Sequence, residues 1–252
     1  MQQLASLSLT LAAPSGSNLG AYRDGSLGPF LQGALFEHLD SDYVAWLHAQ
    51  PFNPYSQYCV SAAREDCFVW RINALTEEAA QQIVMPMVGI DQVELRSAGV
   101  TFEVDDASLE RIELRDLTDL IQNDTSNRSV IKFLTPTSFK QAGRYAFIPN
   151  ERLILQNLLM RFSQVYDGDK EVDTETIKYL QQNVSMTTYD LRSKYFSNVS
   201  HKQKIPAFTG SLVLRGRGNQ PLIGLVRMLL KFSEFSGIGI KTSMGMGGVQ
   251  CI

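Results

Sequence analysis

Gly237-Ile-Gly-Ile-Lys-Thr-Ser-Met-Gly-Met-Gly-Gly248 is followed only by Val249 to Ile252. Five glycines in twelve residues leave backbone N–H groups unscreened, and Lys241, Thr242 and Ser243 add donors among them. Such a loop can cradle phosphate oxygens. A Rossmann or Walker loop must open a helix whose N-terminus holds the phosphate. Here the loop leads into a last short strand, so that reading is excluded.

Working back from the loop, Leu222, Leu225, Val226, Leu229 and Leu230 recur at helical spacing and predict an amphipathic helix. Residues 184–196 and 207–215 read as a strand pair, and Leu155, Leu158, Leu159, Phe162 and Val165 as a second helix. Residues 129–134 and 145–148 read as strand pieces. The first half follows the same plan. A strand at residues 4–12 precedes a helix carrying Leu27, Phe30, Leu31, Ala34, Leu35 and Leu39. A shorter helix capped by Asp40 or Ser41 ends before Pro51. Residues 67–72 are a strand; Thr76-Glu-Glu opens a helix that Pro86 ends; residues 100–104 and 112–114 are strand-like.

Each half is therefore β-α-β-(β)-α-β. That order predicts an α+β protein of tandem ferredoxin-like, RRM-like domains, each an antiparallel sheet with two helices. The expected division is 1–124 and 125–252, with the glycine-rich loop in the second. The aromatic signature of an ordinary RNA-recognition module is absent, although the open sheet face of this fold is an RNA platform elsewhere.

The net charge of −3 conceals a split. Residues 1–124 hold 18 acids, 6 Arg and no Lys, a net of −12, whereas residues 125–252 hold 17 basic and 8 acidic residues, a net of +9. Such asymmetry points to a polyanion on the basic half, with a merely solvated basic face as the alternative. No run approaches the ~20 apolar residues of a membrane span. The start, Met1-Gln-Gln-Leu-Ala, lacks the basic region of a signal peptide. Three scattered cysteines, Cys59, Cys67 and Cys251, form neither a disulfide framework nor a zinc motif. These features lead to the expectation of a cytoplasmic protein with no membrane association, no metal and no cofactor.

Several motifs carry a family resemblance. They are Ile205-Pro-Ala-Phe-Thr-Gly-Ser-Leu-Val-Leu-Arg-Gly, then Phe235-Ser-Gly-Ile-Gly-Ile-Lys-Thr-Ser-Met-Gly-Met-Gly-Gly-Val, with Leu134-Thr-Pro-Thr-Ser-Phe-Lys and Gly143-Arg-Tyr-Ala-Phe-Ile-Pro upstream. Leu31-Gln-Gly-Ala-Leu-Phe and Trp46-Leu-His, followed by Pro51-Phe-Asn-Pro-Tyr-Ser, lie in the first half. Together they resemble the CRISPR repeat-processing endoribonucleases, the Cas-six family of the RAMP superfamily. The match is specific in the last fifty residues and looser over 90–130.

The resemblance implies a metal-independent endoribonuclease that binds CRISPR repeat RNA and cuts the precursor crRNA. The ribose 2′-hydroxyl attacks the adjacent phosphate, leaving a 2′,3′-cyclic phosphate and a 5′-hydroxyl. It also implies CRISPR effector-complex subunits and a second copy of the chain as candidate partners. His48 falls where the family carries its proton-transfer residue, near a predicted helix C-terminus, whose carbonyl end attracts a cation. His38 falls on the apolar stripe of its helix, where half-buried packing is the expected role and catalysis the lesser one. His201 sits in Ser200-His-Lys-Gln-Lys204, a tip that could enter an RNA groove or be solvated. Phe36 and Gln50 replace a tyrosine and a lysine of some relatives, and phenylalanine exchanges no proton. Arg64, Lys202 or Lys204 could supply the missing cation.

The candidate RNA contacts are Lys132, Lys140, Arg144, Arg192, Lys194, His201, Arg215 and Arg217. The loop adds Gly237, Gly239, Lys241, Thr242, Ser243, Gly245 and Gly247. Arg227 and Lys231 read as a solvated helix face. Two rivals remain: a family member that binds repeat RNA without cutting it, and a structural RAMP subunit.

Overall fold

The computed structural model describes residues 3–14, 27–64, 66–166, 168, 173–198 and 203–252. In the first half, β1 (Gln3–Ala12) leads to α1 (Gly28–Glu37) and α2 (Ser41–Ala49), then β2 (Tyr55–Ser61) and β3 (Cys67–Ala74). A helical stretch, α3 (Glu77–Ala79), continues as a π turn over Ala80–Val84 and a 3-10 turn over Met85–Met87. It precedes β4 (Gln92–Leu95) and β5 (Val100–Glu113). Two short helices, α4 (Leu114–Thr118) and α5 (Leu120–Asn123), join the halves.

The second half runs β6 (Arg128–Thr137), β7 (Phe139–Gln141), β8 (Arg144–Ala146), α6 (Glu151–Tyr166), α7 (Thr174–Asn183), β9 (Val184–Asn198), β10 (Gln203–Gly216), α8 (Gln220–Ser236) and β11 (Val249–Cys251). Strand order is β2-β3-β1-β5-β4 in one sheet and β11-β6-β10-β9 in the other. With β4 set aside, both are the same arrangement: first and third strands central, second and fourth at the edges. The tandem ferredoxin-like expectation is met on this strand order, and all pairings are antiparallel.

Local signals explain most elements. Asp40 Oδ1 accepts from the amides of Asp42 and Tyr43, and Thr76 Oγ1 accepts from the amide of Ala79. Leu7, Leu9 and Leu11 of β1 alternate into a core with Leu31, Leu35, Trp70 and Ile72. The second core joins Ile131 and Phe133 to Leu212, Leu229 and Phe232.

Four readings are corrected. Pro86 does not end a helix but sits inside the 3-10 turn, where its missing N–H costs nothing. Residues 100–104 and 112–114 belong to a single 14-residue strand. Only Tyr145 and Ala146 of the 145–148 stretch are strand, in β8, and Ile148 is 76% exposed. Strands β2 and β4 and helix α7 were not expected.

The halves meet along α8 and the glycine-rich loop. Of the loop, Gly237, Gly239, Thr242, Gly245 and residues 246–248 are buried. A polar chain crosses the junction. Arg71 Nε donates to Ser6 Oγ at 2.7 Å, Ser6 Oγ to Asn73 Oδ1 at 2.7 Å, Asn73 Nδ2 to Ser56 Oγ at 3.0 Å, and Ser56 Oγ to the Phe235 carbonyl. Gly28 of α1 lies against Gly245, and a Cβ on Gly28 would meet Gly245 Cα at 2.8 Å and collide with Met244 O. Both partners are backbone and cannot swing aside. Gly28→Ala should therefore lower stability by about 1–3 kcal/mol, measured as a fall in the urea midpoint at constant m-value.

Candidate active site

His48 lies in the last turn of α2 with its side chain exposed. Its ring meets the Phe36 ring edge-on at 5.3 Å, and Phe36 meets Tyr55 at 6.4 Å. Tyr55 is fully buried and its hydroxyl accepts from Gln32 Nε2 at 3.0 Å. Ser243, in the 3-10 turn of the glycine-rich loop, also hydrogen-bonds the Tyr55 hydroxyl. Asn53 Nδ2 reaches Ser243 Oγ at 3.5 Å. A continuous set of contacts therefore links the exposed histidine of the acidic half to the loop of the basic half. Lys241, two residues from Ser243, is in the left-handed region at φ 54° and places Nζ 3.7 Å from Met244 Sδ.

Gln57 holds this arrangement together. It is fully buried, and Nε2 donates to Gly28 O at 2.8 Å and to Ser243 O at 3.1 Å. Its Oε1 accepts from Trp70 Nε1 at 2.7 Å. Neither Gln57 nor Tyr55 was expected from the sequence, because β2 was not recognised as a strand. A polar residue inside the run Tyr-Ser-Gln-Tyr-Cys-Val was the available signal.

The loop itself departs from the open cradle. The amide of Gly237 donates to Ser233 O, that of Gly239 to Asn157 Oδ1, that of Gly247 to Pro136 O and that of Gly248 to Thr135 Oγ1. Those donors are occupied within the protein and cannot face phosphate. The glycines serve close packing instead: a Cβ on Gly248 would lie 2.5 Å from the Tyr58 ring. Arg161 grips the same region, donating to Ser236 O at 2.9 Å and to Gly239 O at 2.7 Å. Burial lowers its pKa to about 10.

The other candidates divide by position. His38 is the exposed C-cap of α1, so half-buried packing is corrected: the helix ends there and the side chain leaves the apolar stripe. Arg64 pairs with Asp105 and donates to Cys67 Sγ at 2.8 Å. It lies beyond the far end of β2 from Tyr55, so it is not the missing cation. His201 and Lys202 lie outside the described residues. Lys204 is exposed at the start of β10.

Near that end of β10, Ile205 and Ala207 pack with Phe196 and Met246 of the loop. Lys194 pairs with Ala207, and Arg192 with Thr209. Lys132 pairs with Ser211 and Gln250 mid-sheet. Lys140 and Arg144 are exposed on the β7-β8 hairpin. Arg215 and Arg217 stand at the opposite end, eight or more residues along from Ala207, which is roughly 27 Å of strand. Arg227 is bonded to Asp124 at 2.8 Å and Lys231 to Glu234 at 2.6 Å, rather than simply solvated.

Among the described residues, no group of three or more His, Cys, Asp or Glu side chains is placed to hold a metal, and no helix is long and apolar enough to cross a membrane. Cys59, Cys67 and Cys251 are free.

Fold and site define a tandem ferredoxin-like protein with an exposed histidine linked through Phe36 and Tyr55 to a glycine-rich turn at the junction of its halves. The family model described as CRISPR-associated endoribonuclease Cas6 matches residues 131–249. A protein of that name from Mycobacterium tuberculosis is 37% identical over 245 residues, covering 96% of this chain and 77% of the relative. One from Streptococcus thermophilus is 35% identical over 224 residues, covering 86% and 88%. A solved Cas6 product complex superposes with a TM-score of 0.78 at 22% identity, covering 99% of each chain. The chain belongs to the CRISPR-associated endoribonuclease Cas6 family.

Burial raises the Tyr55 pKa from 10.0 to about 12, against the lowering effect of the Gln32 and Ser243 hydrogen bonds. The folded state therefore holds this proton more tightly than the unfolded chain. The stability it contributes is complete below pH 10 and is lost as pH rises through about 12. The urea midpoint should fall across that window, and more shallowly in Tyr55→Phe. Gln57→Ala leaves three partners unpaired, in two buried hydrogen bonds and one half-buried, and should lower stability by about 2–4 kcal/mol, read from the same titration.

Proposed function

We propose that the protein binds CRISPR repeat RNA and cleaves precursor transcripts into guide RNAs as a metal-independent endoribonuclease. Residues 1–124 carry the proton-transfer residue and residues 125–252 hold the RNA. The observation that carries this reading is the exposed His48 at the mouth of the junction, in contact with Phe36 and linked through Tyr55 to the loop turn. The family name of the relatives supports the substrate class.

The chemistry follows from the site. The 2′-oxygen loses a proton and forms a bond to the adjacent phosphorus as the bond to the 5′-oxygen breaks. The 5′-oxygen leaves with a proton, giving a 2′,3′-cyclic phosphate and a 5′-hydroxyl. His48 is the side chain that moves a proton in this exchange. Lys241 supplies positive charge from the loop side as negative charge grows on the phosphorane. The acid-rich first half repels RNA elsewhere, so the strand is directed along the basic half and across the junction. Lys132, Lys140, Arg144, Arg192 and Lys194 line that course, and Arg215 and Arg217 would meet only an RNA that continues along the sheet.

A second reading is a family member that binds repeat RNA without cutting. The observation favouring it is Phe36, which occupies the place beside His48 and can neither donate nor exchange a proton.

In EDTA, wild type should cleave labelled repeat RNA, and His48→Ala should slow single-turnover cleavage by roughly 100-fold or more with little change in binding. His38→Ala should cut at nearly the wild-type rate. RNA with 2′-deoxyribose at the cut site should stay intact; its cleavage would refute the 2′-hydroxyl mechanism. Binding without cleavage by wild type would establish the second reading. The logarithm of the affinity should fall with the logarithm of salt concentration, by about 0.7 for each phosphate neutralised on a single strand.

A further inference from the structure

Residues 147–149 leave the sheet at the end of β8 and run beside β9, the outer strand of the second sheet. The cleft between them and β9 has a volume of about 300 Å³. Phe147 and Ile148 form one wall and Tyr189 and Leu191 the other, with Phe208 beneath; Arg192, on the opposite face of β9 from Tyr189, borders the cleft at this outer edge of the sheet. Ile148 is 76% exposed and Tyr189 65%, an unusual amount of large apolar surface around one concavity. Phe208 is buried and held by Phe133 at 4.8 Å and Phe139 at 6.4 Å, so the floor is rigid.

The occupant follows from chemistry. Of the described residues lining the cleft, the charged one is Arg192, and the cleft lies in the half with a net charge of +9. A planar aromatic or apolar group attached to an anion fits both features. Tyr189 offers a ring face that already stands in solvent, so stacking on it requires little reorganisation. Tyr195 is 68% exposed on the same face of β9, six residues or roughly 20 Å further on, where it offers a second stacking surface.

We propose that this cleft is a nucleobase site: one unpaired base of the bound RNA stacks on Tyr189 between the walls, with its phosphate on Arg192. The proposal rests on the reading of the protein as an RNA-binding endoribonuclease and adds a subsite for single-stranded RNA outside the His48 junction. Tyr189 and Arg192 take no part in the cleavage chemistry.

The test compares wild type, Tyr189→Ala, Tyr189→Phe and Arg192→Gln. The probes are a fluorescein-labelled single-stranded RNA of mixed sequence containing 4-thiouridine and a blunt duplex of the same length. Tyr189→Ala should weaken single-strand binding roughly 5- to 150-fold, while Tyr189→Phe, which keeps the ring, should stay within about 2-fold of wild type. Duplex affinity should not change. Arg192→Gln should reduce the salt slope by about 0.7. Photocrosslinked 4-thiouridine should map to peptides containing Phe147 or Tyr189.

If Tyr189→Ala binds the single strand as tightly as wild type, or no adduct maps to the cleft, the base site is wrong while the proposed function stands. If Tyr189→Ala leaves RNA binding intact but alters the sedimentation of the protein, the cleft is a contact between copies and the proposal fails. If wild type binds neither RNA, both the proposed function and this inference fall.

Discussion

The buried amide of Gln57 organises the molecule. Three separate parts of the chain end on it: the start of α1 through Gly28 O, the loop turn through Ser243 O, and the core of the first sheet through Trp70 Nε1. An amide in a dry junction is tolerated only when its donors and acceptor are paired, because an orphaned group retains its full desolvation cost. The requirement works in both directions. The two halves must dock in one register for the Ser243 carbonyl to reach Gln57, and the docking fixes where the loop lies relative to α2. The position of His48 with respect to the RNA-facing half is a consequence of that register.

The glycines make the docking possible. With Gly28 against Gly245 and Gly248 against the Tyr58 ring, backbone approaches closer than any side chain would allow. Arg161 completes the bracket from the opposite side. It lies over the Phe52 ring at 5.3 Å and donates to Ser236 O at the C-terminal end of α8, where the helix dipole favours a cation, and to Gly239 O of the loop. The buried guanidinium stays charged at neutral pH despite its lowered pKa, because about 10 is still well above neutrality.

Much of this was legible in the chain. Helix α8 was plain from its apolar spacing, β10 from its alternation, and the cap at Asp40 from its position before an apolar run. The repeated strand-helix order specified the fold because each element could be read locally. Strand β2 could not: Ser56 and Gln57 are polar residues placed inside, so their burial breaks the pattern by which a half-buried strand is recognised. Helix α7 was missed because Ile177 and Leu180 are its only buried residues in ten, too few to show a period. The pairing of the Gly237, Gly239, Gly247 and Gly248 amides within the protein was not legible, since glycine spacing tells where backbone is bare but not what comes to cover it.

The sequence by itself determined two ferredoxin-like halves, their opposite charges, the family motifs and the presence of a histidine at the C-terminal end of the second helix. These depend on local periodicity and composition, which a one-dimensional string preserves. Tertiary structure alone decided that the amides of Gly237, Gly239, Gly247 and Gly248 face the protein, that Arg64 is paired with Asp105 away from the junction, and that Phe147 and Tyr189 flank one cleft. Those outcomes depend on which distant surfaces approach closely enough to exclude water, and hydrogen-bond pairing and burial are settled only at that separation.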